Sequence, residues 1–191
     1  PEVLEGDPAS EHSDVWSLRK LPRSVAIIGG AGTGCQLATI LDSFGVKVYL
    51  LNRNPVILPA EDRLVSETMM LAMRRRGISV YVDSTPDRID QVDGLKQVSF
   101  SQGGESKTIS AEAVIVAITW TGNVESLDLG AAGGESDHGR VLVNEFLQTR
   151  VPHLFAAGDV TGQVMFVQSA GYQGRIAAEN AGLGVGPKQS L

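Results

Sequence analysis

The chain carries one cysteine in 191 residues. A single thiol excludes an internal disulfide and a thiolate metal cluster. Positive charge is also scarce, since 16 Lys and Arg against 22 Asp and Glu leave a net charge of −6. That balance argues against nucleic acid or anionic lipid as a main partner. The bunched basic residues are Arg74-Arg75-Arg76, which read as the last turn of a helix, where cations suit the dipole. There is no apolar run of membrane-spanning length, no secretory segment, no repeat and no low-complexity stretch. With one cysteine, this pattern points to a reducing cytoplasm. An initiating methionine is missing too: the chain starts at Pro1, as expected of a processed or excised piece. A content of 42% hydrophobic and 20% charged residues is that of an ordinary globular protein of one or two domains.

What the chain does have is glycine at telling places. Residues 24–34 read Ser-Val-Ala-Ile-Ile-Gly-Gly-Ala-Gly-Thr-Gly, an apolar strand-like run that stops at Gly29 and Gly30 and leads to a predicted helix over Cys35 to Phe44. A strand, glycine turn and helix open a dinucleotide-binding unit: one glycine permits the turn, the next lets backbone approach a pyrophosphate, and the last lets helix pack on strand. Gly29 and Gly34 fit that register, whereas Ala31 places a methyl group at the closest phosphate approach. Gly45 to Asn52 reads as the second parallel strand and ends at the usual ribose-reading position. An acid normally stands there. Here Asn52 and Arg53 do, removing the carboxylate that grips an NAD ribose; the Arg53 guanidinium suits a 2′-phosphate, with Arg63 as a second candidate. The alternative is that both arginines are solvated surface charges.

The order of the remaining elements follows from pattern. A helix is predicted over Glu61 to Arg76, with apolar spacing at Leu64, Thr68, Leu71 and Ala72 and a stop at Gly77. Ile78 to Val82 is the third strand, and Arg88 to Ser110 reads as a hairpin or three-stranded meander broken at Asp93-Gly94 and Gly103-Gly104. Ala113 to Ile118 has the continuous apolar character of a buried parallel strand, followed by a loop over Thr119 to Asn123. Farther on come short strands at Gly139 to Val143 and Leu154 to Ala157, a Gly158-Asp159 turn, and a helix from Val167 to Ala181. In the polar opening segment, Val15, Trp16 and Leu18 are the expected packing contacts. Cys35 has two readings, a thiol activated by the helix N-terminus or inert packing on the helix's buried side, the second favoured.

Thr149-Arg-Val-Pro-His-Leu-Phe-Ala-Ala-Gly-Asp159 closely resembles the second flavin-contact motif, T-x-x-x-x-[FY]-A-x-G-D, of the pyridine nucleotide-disulfide oxidoreductases. The glycine turn, the meander, Ala117 to Asn123, Gly139 to Asn144 and Val160-Thr-Gly follow in that family's order, so the resemblance covers almost the whole chain. Val167 to Ile176 looks most similar to the dihydrolipoamide dehydrogenase and mercuric reductase branch.

The resemblance implies an α/β protein: residues 1–22 a connector, 23–123 a Rossmann-like three-layer NAD(P) domain with a β-meander crossover, and 124–191 a returning segment of an FAD domain. It implies a flavoenzyme about two and a half times this length, in which NADPH or NADH passes a hydride to FAD and the flavin reduces a disulfide, metal ion or other acceptor. Partners would be the remaining FAD and dimerisation domains of a homodimeric parent. The N-terminal FAD glycine turn, the C-x-x-x-x-C pair and the acid–base histidine are not in this sequence, so turnover by the chain alone is not expected. Implied cofactor contacts are Gly29, Gly30, Ala31, Gly32, Thr33, Gly34, Asn52, Arg53, Asn123, Gly158 and Asp159. Departures cluster in the nicotinamide region. The family tends to have glycine at Ala31, an aromatic gate at Gly32 and a glutamate at Gln36, and its G-R-x-P-N-like loop is here Thr119-Trp-Thr-Gly-Asn123. Two other readings stand beside this one, a flavoprotein-like binding or scaffold module whose nucleotide site has degenerated, and a stand-alone nucleotide-binding regulator of natural 191-residue length.

Overall fold

Strand β2 (Ser24–Ile28) is buried on both faces, and the reason lies in its sequence. Val25 and Ile27 enter one apolar cluster while Ala26 and Ile28 enter another, the period-two alternation of a central strand whose two sides are both covered. In this computed structural model the described residues are 10–11, 15, 18–118, 122–183 and 190. They divide into two units, Pro1–Ile118 and Thr119–Leu191.

In the first unit the elements run β1 (Ser10–Glu11), β2, α1 (Gly32–Ser43), β3 (Lys47–Leu51), α2 (Arg63–Arg76), β4 (Ser79–Tyr81), β5 (Ser84–Val92), β6 (Leu95–Gln102), β7 (Glu105–Ala111) and β8 (Ala113–Val116). The five parallel strands are ordered β1-β8-β2-β3-β4, with Ile28 opposite both Leu51 and Val116. Helix residues Cys35, Leu37, Ala38, Leu41 and Met73 cover one face together with Val48, Leu50 and Val80. The antiparallel meander β5-β6-β7 supplies Ile89, Val98, Phe100 and Ile109 to the other. The result is a Rossmann-like three-layer α/β unit in which a meander stands where a crossover helix would lie. Val15 packs against the helix-side cluster and Leu18 is exposed; Trp16 lies outside the described residues.

Three expectations need correction. Helix α1 begins at Gly32 rather than Cys35, because Ala31, in extended backbone (φ −82°, ψ −171°), serves as N-cap and Gly32 to Gly34 already wind as helix. On α2 the residues with apolar spacing, Leu64, Thr68, Leu71 and Ala72, face outward. The packed stripe is Ser66, Met69, Met70 and Met73. Ser66 is tolerated there because its hydroxyl donates to the Leu58 carbonyl. Finally, Leu154 to Ala157 forms no strand; among the described residues its ladder contact is a bridge from Phe155 to Gln148, and a strand exists only through its pairing.

The second unit contains a two-strand hairpin, β9 (Ser136–Asp137) with β10 (Arg140–Val141), and helix α3 (Val167–Leu183). Leu147, Ile176 and Ala177 form its small core with Val143, Phe155 and Ala157. Thr149, which opens the flavin-type motif, is buried and closes its own turn: its hydroxyl accepts from the Val151 N–H and donates to the Val151 carbonyl.

Candidate nucleotide cleft and Gly-Asp turn

The glycine turn is built by backbone contact. Gly29 has φ +115°, and a Cβ there would collide with the Ala117 carbonyl at the end of β8. A Cβ on Gly34 would collide with the Gly29 carbonyl. Strand and helix thus meet main chain to main chain, as the outer glycines of a dinucleotide turn require. Ala31, by contrast, keeps an ordinary backbone conformation and offers no side-chain cap to α1, whose first turn also lacks an acid. The positive end of the helix dipole is therefore left for an anion.

Gly30 is held from both sides. Its N–H donates to Asn52 Oδ1 at 3.0 Å, and its carbonyl accepts from the Leu58 N–H at 2.7 Å. A Cβ on Gly30 would lie 2.9 Å from Asn52 Cβ and 3.0 Å from Ile57 Cγ2. Asn52 itself is 6% exposed; its Nδ2 donates to the carbonyls of Asn54 (3.2 Å) and Val56 (2.6 Å). Every polar atom of this side chain is engaged within the protein.

A cleft of about 540 Å³, a size ordinary for small-molecule sites, opens beside the turn and is lined by Gly29, Gly30, Ala31, Asn52, Arg53, Asn54 and Ala117 among others. Arg53 is exposed and makes no ion pair with a described residue. Arg63 instead pairs with Glu67 one helical turn away at 2.6 Å. Gly32, Thr33, Gly34 and the exposed Gln36 are not part of the lining. A Cβ on Gly32 would meet nothing within 4 Å. Sequence reasoning missed Pro59, Thr85 and Pro86 in the wall. Pro86 carried a signal, because proline within a strand run marks a bulge and the β5–β6 register shifts between Pro86 and Arg88. Cys35 is packing: it is 2% exposed, burial pushes its thiol up to about 11, and its Sγ lies 3.4 Å from the Gly30 carbonyl.

In the second unit, Gly158 adopts φ +82°, ψ −157°, a region open to glycine alone. Its N–H donates at 2.7 Å to Oε1 of Gln173, a buried α3 side chain whose Nε2 donates to Gln163 Oε1. The Thr161 hydroxyl and N–H both donate to the Gly158 carbonyl. Asp159, first residue of the 3₁₀ turn Asp159–Thr161, is exposed, and its carboxylate has no partner among the described residues. Asn123 is exposed too, after Gly122, whose N–H donates to the Gly139 carbonyl. Thr119 to Thr121 of that loop lie outside the described residues.

Residues 2–174 match the family described as pyridine nucleotide-disulphide oxidoreductase. The chain belongs to this family. Among its relatives are a dihydrolipoyl dehydrogenase of Bacillus subtilis (strain 168), 31% identical over 96% of the chain and 40% of that protein, and a mercuric reductase of Bacillus cereus, 31% identical over 94% and 28%. The Cu(II) complex of the HOCl-induced flavoprotein disulfide reductase RclA from Escherichia coli superposes with a TM-score of 0.86 at 25% identity, covering 98% of this chain and 42% of that one. The chain spans about 40% of the length of the dihydrolipoyl dehydrogenase that it matches. Among the described residues no helix is long and apolar enough to cross a membrane, and no group of His, Cys, Asp or Glu is placed to hold a metal ion.

Proposed function

We propose that this chain provides the nicotinamide-nucleotide site and a flavin-contacting segment of an FAD-dependent NAD(P)H oxidoreductase. The observation that carries this is the glycine turn, whose outer positions admit only glycine while a helix end with no side-chain cap stands beside a cleft with Arg53, which has no ion-pair partner among the described residues, at its wall. When bound, NAD(P)H supplies a hydride that FAD accepts and passes on to a disulfide or other acceptor. The α1 N-terminus would face the pyrophosphate, and Arg53 would pair with a 2′-phosphate in charge-assisted, forked hydrogen bonds. Asp159 would accept a hydrogen bond from the flavin's ribityl chain, on a turn fixed by Gln173. Asn123 belongs to the same assignment as a nicotinamide-side contact.

NADPH should then bind at least as well as NADH, and both weakly, because the Ala31 methyl group stands at the cleft wall. Calorimetric titration of the 191-residue chain checks this. Arg53→Ala should lower NADPH affinity by about ten- to a hundredfold, the worth of a charge-assisted bond, and leave NADH unchanged. A clear NADH preference in the unaltered chain overturns the Arg53 assignment. Binding of neither nucleotide favours instead a module with a degenerate site, a reading supported by Asn52, which stands where an acid would grip the ribose and is fully engaged internally.

A further inference from the structure

The loop between β3 and α2 is fastened to the glycine turn at more points than a surface loop needs. Ile57 in this loop is fully buried, Leu58 is held at φ +50°, and the Leu58 N–H and Asn52 Oδ1 grip the two ends of residue Gly30. A non-glycine residue in the left-handed region persists only where its surroundings determine it. The Asn52 side chain hydrogen-bonds to turn and loop together, to Gly30 on one side and to Asn54 and Val56 on the other. Its amide orientation is fixed by chemistry, because Gly30 presents a donor while Asn54 and Val56 present carbonyl acceptors.

We propose that Asn52 is a positioning residue: its buried carboxamide latches the glycine turn to residues 53–58, and so sets Arg53 at the wall of the cleft as the reader of the nucleotide's 2′-phosphate. The proposal rests on the nucleotide-site reading above for its second half, whereas the latch stands on the hydrogen bonds alone. It also accounts for the residue type. Aspartate would satisfy Gly30 with one oxygen and turn the other, charged, on the carbonyls of Asn54 and Val56, where Nδ2 now donates. Buried against two acceptors, that carboxyl would favour its protonated form. An acid at position 52 therefore breaks the loop rather than restoring a grip on ribose.

Asn52→Asp separates the latch from a ribose reader. The latch predicts that NADPH weakens by about ten- to a hundredfold, because Arg53 is no longer held for the 2′-phosphate, while NADH weakens less and does not gain affinity. It also predicts a melting deficit relative to the unaltered chain that is large at about pH 8 and shrinks towards about pH 5, since protonation restores a donor and the variant's raised folded-state pKa favours folding as pH falls. A variant that gains NADH affinity as it loses NADPH, or whose deficit is the same at both pH values, overturns the latch. Amide hydrogen exchange on the unaltered chain needs no variant at all. The Gly30 N–H should be protected well beyond that of Ala31, and equal exchange at the two overturns the proposal even if Asn52→Asp does not fold. If neither nucleotide binds the unaltered chain, the cofactor reading fails while the exchange and melting results still decide the latch.

Discussion

Cys35 shows how one position can suit two opposite chemistries until its surroundings are known. A thiol at a helix N-terminus is commonly activated, because the dipole favours the thiolate. Here the side chain points into the helix–sheet core among Ile27, Leu37 and Ala38, and desolvation outweighs the dipole, raising the pKa to about 11. The thiol should therefore stay unmodified by a thiol-directed disulfide reagent at neutral to mildly alkaline pH and react stoichiometrically once the chain is unfolded in denaturant. Fast labelling of the folded chain would contradict the packing described. Of the candidate site residues, Gly29 and Gly34 had a legible steric demand, because their constraint is local. The role of Asn52 was not, since its partners are backbone atoms of Gly30, Asn54 and Val56, and residue identities do not record where a carbonyl points.

At the level of elements, legibility followed coverage. The strands β2, β3 and β8 read correctly because both their faces are buried, which fills a run with apolar residues. Helix α2 was found, with Asp62 as N-cap and Gly77 in the left-handed region as its stop, but its packed face was misread. It lies towards the edge strand β4 and buries a narrow methionine stripe, leaving Leu64 71% exposed; hydrophobic character alone does not choose between two stripes of one helix. The starts of β2 and β8 are joined by a different device. Glu112 accepts from the Arg23 backbone N–H at 2.6 Å and from Arg23 Nε at 2.5 Å, which holds its carboxyl below the usual glutamate range. A carboxyl with a lowered folded-state pKa adds stability above its unfolded pKa, and that contribution is lost as pH falls through the folded value. Thermal melts of Glu112→Gln should lie below those of the unaltered chain at neutral pH and converge with them in acid below the ordinary carboxylate range. A gap that persists unchanged into acid would remove the carboxylate from the strand junction.

For the whole molecule, the first unit is a complete layered α/β arrangement, and the second presents few regular elements around a small core. The lost strand at Leu154 to Ala157 belongs to the same contrast: its apolar character was legible, but among the described residues it pairs with the short stretch 147–149, through a single bridge. On the proposed reading the described part of the second unit would offer a flavin the Gly158-Asp159 turn and the α3 that follows, and the one dinucleotide-type glycine turn in the sequence would hold the nicotinamide nucleotide instead. Purified chain should therefore be colourless after gel filtration in the presence of FAD. Equimolar flavin absorbance would show that the turn and α3 suffice for retention. The main-chain contact between Gly34 and Gly29 has a genetic side as well. Every single-base change that alters the meaning of a glycine codon yields a stop or a residue with a Cβ, so neither position has a neighbouring amino acid that the fold can accommodate. The helix and the strand of this turn can change around that contact, but the contact itself cannot drift by single steps.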